Sequence, residues 1–149
     1  MNDAQIHLAL NHFPILGSLF GTILLGFGLF GKNKSLLNAG LITLFIITLM
    51  TIPVYLSGEG AEDIVEELGV DHDIIHEHEE IAEAAVWLMD TLGLLALISF
   101  FLSQKTFNRP ARILTIVTFV MGIIVFGFML QVGGTGGEIR HTELREASQ

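Results

Sequence analysis

Long stretches without charged side chains constrain this 149-residue chain more than any other feature of its sequence. Three stretches contain no Asp, Glu, Lys or Arg, and a fourth contains only Asp90: residues 4–31, 35–58, 113–137 and 84–104. A helix needs about 20 mostly apolar residues to cross the hydrocarbon core of a bilayer. We therefore predict four membrane-spanning helices, near residues 12–30, 36–56, 81–104 and 111–131.

The composition supports a single membrane domain covering residues 1–149. Hydrophobic residues make up 51% of the chain and charged residues only 15%, where soluble domains have about 25% charged residues. The absence of cysteine excludes disulfides, thiolate metal sites, iron–sulfur clusters and covalently attached haem. The net charge of −9 argues against a nucleic-acid partner. No serine or cysteine nucleophile arrangement is visible, so a catalytic role is not favoured.

The charges predict how the spans are oriented. Five of the seven Lys and Arg residues lie in two connections without acidic residues, at 32–34 and 105–112, whereas fifteen of the sixteen carboxylates lie in the remaining connection, the two ends of the chain and their borders. Basic connections stay in the cytoplasm, so both termini are expected outside it. The amino end lacks the basic region of a cleavable signal peptide. Because the basic connections are short, neighbouring spans should be antiparallel, as in a four-helix transmembrane bundle.

All six histidines fall on the predicted extracytoplasmic side, in three segments: residues 7–15, 57–80 and 133–141. Imidazole and carboxylate together suit Zn, Fe, Mn or Cu. We predict a transition-metal site on this side whose ligands are His12, His76, His78, Glu59 and Glu79. Secondary candidates are His7, Glu62, Glu138 and His141. The stripe of His72 and His76, four residues apart on one helix face, can also chelate an ion, although His72 and His141 are the least favoured histidines.

Three local expectations concern the rest of the chain. Asp71 is predicted to cap a helix that enters the third span, after an acidic outer loop at 57–80. The glycines at 133–137 argue against a rigid helix there. A carboxylate inside a span, such as Asp90, is costly and marks a polar or proton-binding site; the alternative is a hydrogen bond to Thr48 or Thr51.

The opening motif, His7-x-x-x-x-His12-Phe-Pro-Ile, resembles that of DUF2231, a family of small four-helix bacterial membrane proteins of unknown function. The family opens with His-Pro-x-x-Val-His-Phe-Pro-Ile, carries a histidine at the start of the third span and closes on Gly-Gly and a histidine. His78 or His76, and the segment 136–141, would correspond. Leu8 replaces the family's proline, and the closing motif lacks its Val-Tyr step. The resemblance implies a bacterial inner-membrane location without an established activity.

Three functions remain open from the sequence. The first is the metal-binding protein described above. The second is an electron-transfer protein that binds b-type haem between His12 and His78, because four spans with paired histidines are similar to membrane b-type cytochromes. The third is a cofactor-free accessory subunit that packs in a homo-oligomer or a larger membrane complex.

Overall fold

Five helices form the protein in the computed structural model, which describes residues 2–105 and 108–141, apart from the side chain of Arg140. Their bounds are α1 Asp3–Leu10, α2 His12–Phe30, α3 Lys34–Glu67, α4 His72–Lys105 and α5 Arg109–Arg140. No strand occurs within these described ranges. Four helical segments are long and apolar enough to cross a membrane, with α1 and α2 together forming the first. The prediction of an all-helical chain with four such segments is confirmed.

Asparagines begin three of the helices by satisfying backbone N–H groups that have no partner inside the helix. The Asn2 side chain accepts a hydrogen bond from the Gln5 N–H, and the Gln5 side chain accepts one from the Asn2 N–H, which is a reciprocal capping pair. Asn33 caps α3 in the same way. Asn108 caps α5, with Pro110 in its first turn. The helix that contains the predicted fourth span thus begins at Arg109.

The four long helices pack in a closed ring, in which α2 contacts α3 and α5, and α4 contacts α3 and α5. The short helix α1 lies against α3. Fully buried side chains fill the ring, including Leu25, Leu41, Leu44, Met89 and Leu92. Close approach of α2 and α3 depends on glycine: a Cβ at Gly28 would meet the backbone of Leu37, and one at Gly40 would meet the backbone of Leu25.

Two segments are more helical than expected. Residues 57–80 are not a loop, because α3 continues to Glu67 and α4 starts at His72; only residues 68–71 intervene. Gly69 adopts a left-handed φ of 85° there, and the Asp71 carbonyl accepts from Ile74 and Ile75 N–H groups as α4 begins. Ending α3 in four residues requires that φ, which glycine adopts without a steric penalty.

The expectation that the glycine run interrupts α5 is wrong. The helix continues through 133–137 to Arg140. Thr135 and Gly136 contact the side chain of His78 on α4. These tertiary contacts outweigh the low helix propensity of glycine, which is a weak preference that packing overrides.

Contacts between helices define two ends of the bundle. At the acidic end, His7 bonds to Val54 and His78 to Thr135. At the basic end, which holds residues 32–38, 104–105 and 108–112, Gln104 bonds to Asn38 over 2.9 Å. Helices α3 and α4 each have 34 residues, about 51 Å at 1.5 Å per residue, against a hydrocarbon core of about 30 Å. Their charged segments 57–67 and 72–80 therefore extend beyond the apolar spans at the acidic end.

Candidate functional site at the acidic end

The acidic end is built around the helical corner where α3 ends and α4 begins. Glu62 and Glu66 are four residues apart on the last turns of α3, and His72 and His76 are four apart on the first turns of α4. Residues at this spacing lie on one face of a helix. The turn at Gly69 folds the two faces toward each other, so that carboxylates from one helix meet imidazoles from the other.

Glu62, Glu66 and His72 converge most closely. One potential ligand atom from each lies within 4.8 Å of the other two. His72 Nδ1 is 2.7 Å from Glu66 Oε1, in an ion pair that is open to solvent. This hydrogen bond, and the negative charge of Glu66, raise the pKa of His72 above its ordinary value of 6.5.

Glu79, about two turns after His72 on α4, lies beside the same cluster. Burial raises its pKa, and the neighbouring carboxyl group of Glu62, which is close enough to share a proton with it, raises it further. The His76 ring stacks on the His72 ring with centroids 6.2 Å apart, and its Nε2 lies 3.5 Å from Glu80 Oε1. The corner thus concentrates negative charge beside imidazole nitrogens.

A second pair of histidines, His7 and His78, lies in a different setting, partly buried between helices. His7 Nδ1 is 2.9 Å from the Val54 carbonyl of α3, and the ring lies against Gly58. His78 Nδ1 is 2.9 Å from Thr135 Oγ1 of α5, and its ring lies against Gly136. Each imidazole is therefore held by a hydrogen bond and packed on a glycine of another helix.

The partner of His7 fixes its tautomer, since a carbonyl only accepts and His7 therefore donates from Nδ1 to Val54. The Thr135 hydroxyl, which both donates and accepts, lies 2.9 Å from His78 Nδ1 and 3.3 and 3.2 Å from the carbonyls of Gln131 and Val132. Burial lowers the pKa of His78, and a positive charge on His7 lowers it further. Nε2 is the second potential ligand atom of each ring.

The remaining predicted site residues lie apart from these two clusters. His12 is exposed at the start of α2, where it borders a shallow apolar cleft with Phe13 and Leu16. Glu59 is exposed and lies beside the Tyr55 hydroxyl. Glu138 is partly buried near the end of α5, and His141 is exposed immediately after the last residue of α5.

Asp90 is exposed on the outer surface of α4. Neither predicted threonine bonds to it, since Thr48 donates to the carbonyls of Leu44 and Met89, and Thr51 donates to that of Ile47. The neighbouring residue Met89 is fully buried in the apolar core, so Asp90 lies at the height of that core along the bundle axis. This carboxyl group therefore faces outward in the middle of a predicted span.

Sequence reasoning selected Glu62, Glu79, His76 and His78 but passed over Glu66 and disfavoured His72. The signal that would have found them is the pair of i, i+4 spacings, Glu62 with Glu66 and His72 with His76, on either side of a short turn at Gly69. The i, i+4 spacing brings side chains together only in a helix, and residues 57–67 were expected to form a loop. Comparison of the chain with known protein families, curated proteins and solved structures finds no match.

Proposed function

We propose that this protein binds a divalent transition-metal ion at the acidic end of its bundle, through Glu62, Glu66 and His72. The observation that carries the proposal is the convergence of one ligand atom from each residue within 4.8 Å. Glu79 is a fourth candidate, because its carboxyl group already faces Glu62. A four-ligand set of carboxylate and imidazole suits Zn, Mn or Fe.

The charges of the corner support the same proposal. The carboxyl groups of Glu62 and Glu79 lie side by side, which is unfavourable unless a proton or a cation lies between them. A divalent ion would neutralise these two carboxylates and replace the hydrogen bond between His72 and Glu66. Metal binding of this kind releases protons and links α3 to α4 across their short turn.

Calorimetric titration of the purified protein with Zn²⁺ and Mn²⁺ tests the proposal. We expect one ion per chain, and we expect Glu66→Gln and His72→Ala each to weaken binding by at least about 10–100-fold, the range for residues that support metal sites. Glu67→Gln is the matched control, since Glu67 carries the same charge next to the cluster but is not part of it. Equal losses in the control and in Glu66→Gln would reject a specific site.

His12→Ala separates this site from the one that the sequence predicted. If the ion binds at the corner, the variant should retain the affinity of the unmodified protein. Loss of binding in His12→Ala with retention in His72→Ala would instead support the set of His12, His76, His78, Glu59 and Glu79.

The second candidate function is b-type haem binding, and a specific observation favours it. His7 and His78 lie on different helices, and Nδ1 of each is hydrogen-bonded to a protein oxygen, which is the way ligating histidines are commonly oriented. The depressed pKa of His78 keeps its ring neutral, as a ligand must be. These features favour His7 over the exposed His12 as the partner of His78.

An absorption spectrum of the protein, oxidised and then reduced, tests haem binding. A Soret band and a sharp α-band are expected only if haem is bound, and they should disappear in His7→Ala and in His78→Ala but persist in His12→Ala. Elemental analysis of the same sample distinguishes haem iron from an ion at the helical corner. A sample without haem bands would remove this candidate.

The finer topology also belongs to the proposal: an antiparallel bundle in a bacterial inner membrane, with both termini outside the cytoplasm. The basic connections support this orientation, and later residues of α2 meet earlier residues of α5, as antiparallel helices require. The outward-facing Asp90 supports burial against a second copy or a larger membrane complex. The accessory role without a cofactor is the outcome if neither metal nor haem binds.

Single cysteines introduced into this cysteine-free chain test the orientation. Leu68, which is 76% exposed in the turn of the acidic end, should react as Leu68→Cys with a membrane-impermeant reagent in intact cells. Ser35→Cys at the basic end should react only after lysis. The reverse pattern would overturn the orientation.

A further inference from the structure

An apolar cleft of about 440 Å³ opens between α2 and α5 on the outer surface of the bundle, in its basic half. Aromatic and branched side chains line it, among them Ile23, Phe27, Phe30, Phe119, Ile123 and Phe126. Phe30 and Phe119 meet edge to face with ring centroids 5.4 Å apart. Its volume is within the range of roughly 300–1,000 Å³ typical of ligand sites.

Helix register places two cations, Lys32 and Arg112, just beyond the lining residues at the basic end of the cleft. A Cβ at Gly26 would touch the Phe119 ring, and one at Gly122 would touch Thr22. Residues later in α2 therefore lie beside residues earlier in α5. Lys32 is six residues after Gly26, and Arg112 is seven residues before Phe119. The two cations therefore lie at about the same height along the bundle. Residues seven apart share one helix face, so Arg112 continues the face of Phe119 to the mouth of the cleft.

The backbone holds Lys32 at this mouth in an unusual conformation. Its φ is 52°, a left-handed value that usually belongs to glycine at a helix end. Hydrogen bonds of 2.9 Å from the Gly31 N–H to the Phe27 carbonyl and from the Asn33 N–H to the Gly28 carbonyl close the end of α2 around it. A lysine at a position that favours glycine places a cation next to Gly31, which itself lines the cleft.

Among the residues that the structure describes, the cations at this end have no acidic partner. The connections at 32–34 and 105–112 contain no Asp or Glu, and within the described ranges the ion pairs all join histidine to glutamate. Lys32 and Arg112 are both exposed. An apolar cleft that ends at two unpaired cations is complementary to a ligand with a long apolar chain and an anionic head.

We infer that this cleft binds one acyl chain of an anionic phospholipid, with the lipid phosphate between Lys32 and Arg112. The aromatic walls contact the chain, and the two cations contact the phosphate. A second copy of this protein would bring a further set of basic residues to the same level, which charge repulsion disfavours. A zwitterionic lipid fills the cleft equally well but adds a positive group near the cations.

Native mass spectrometry of the full chain, released from vesicles of phosphatidylcholine and phosphatidylglycerol in equal amounts, tests the inference. We expect one phosphatidylglycerol retained per chain. Each cation near an anionic surface changes binding by about fivefold, so Lys32→Gln with Arg112→Gln should lower the ratio of retained phosphatidylglycerol to phosphatidylcholine by about thirtyfold. Lys105→Gln, which removes a cation on α4 across the ring from α2, is the control and should leave the ratio nearly unchanged.

A second variant tests the apolar part of the site without altering charge. Ile123 is 52% exposed on the wall of the cleft, so Ile123→Trp should fill it, leave the fold intact and reduce retention of both lipids. Added inorganic phosphate should not displace the lipid, because the acyl chain holds it. Equal retention of the two lipids, equal effects of Lys105→Gln and the double variant, or displacement by phosphate would each overturn the inference. It would also be overturned if Ile123→Trp changed the oligomeric state but not lipid retention, since the cleft would then be an interface between copies.

Discussion

The two ends of the bundle differ in what their charged side chains contact. At the acidic end, titratable side chains contact one another: His72 bonds to Glu66, and Glu79 faces Glu62. At the basic end, the cations contact no carboxylate among the described residues and border an apolar cleft. The acidic end therefore favours binding of a cation between protein side chains. The basic end favours binding of an anion that does not belong to the protein.

Glycine follows the same division. At the basic half, Gly28 lies against the backbone of Leu37, so α2 and α3 touch main chain to main chain. At the acidic end, Gly58 and Gly136 lie against the rings of His7 and His78. Small residues therefore hold helices together in one half, as is common in membranes, and make room for imidazoles in the other.

Gly28→Ala should have the largest effect on stability. Its Cβ would meet the Leu37 backbone, which cannot move without separating the helices, so we expect a loss of about 3 kcal/mol or more in the free energy of unfolding. Gly127→Ala is the control, because nothing lies within 4 Å of that position; it should gain up to about 1 kcal/mol from helix propensity. Denaturation in detergent measures both, and equal stabilities would contradict the close backbone contact.

Asp90→Leu tests the one carboxylate that belongs to neither end. A charged group at mid-span costs about 2.5–3.5 kcal/mol, so we expect the variant to stabilise the isolated protomer by about 2 kcal/mol or more, and to weaken any association that buries Asp90. Thermal unfolding and the mass of the detergent-solubilised particle are the measurements. Destabilisation of a monomeric variant would show that Asp90 is bonded inside the protomer.

Gly136→Ala should cost less than Gly28→Ala, because its Cβ would lie 3.1 Å from His78 Cε1, and a side chain can shift by a few tenths of an ångström. We expect a change below about 1 kcal/mol in unfolding free energy, together with an altered NMR signal of the His78 ring. A loss as large as that of Gly28→Ala would remove the distinction between the two halves.

The smallest expected effects are on pH dependence, and the two kinds of histidine should differ in sign. Because the folded pKa of His78 is below the unfolded value of 6.5, its contribution to stability is present above pH 6.5 and is lost as the pH falls toward the folded pKa. His72 has a raised pKa, so its contribution is complete below pH 6.5 and is lost as the pH rises through the folded pKa. NMR titration of the rings, with His78→Gln and His72→Gln for assignment, measures both; shifts in the same direction would contradict the buried setting of His78.

The sequence by itself determined the four helical segments that are long and apolar enough to cross a membrane, because each nearly uncharged run reaches the length that a spanning helix needs. It also located the segments that carry histidine and carboxylate. At the acidic end, α3, α4 and α5 continue beyond the predicted spans as charged or glycine-rich helices that a hydropathy pattern does not mark.

Only the tertiary structure decided which of these side chains meet. Sequence alone does not tell whether a histidine near a helix end faces inward or outward, yet His7, in the last turn of α1, bonds to α3 while His12, at the start of α2, is exposed. Likewise, Glu66 and His72 come together only because α3 remains helical to Glu67 and Gly69 then reverses the chain. The choice of helix face is set by packing between elements distant in sequence, which local periodicity does not contain.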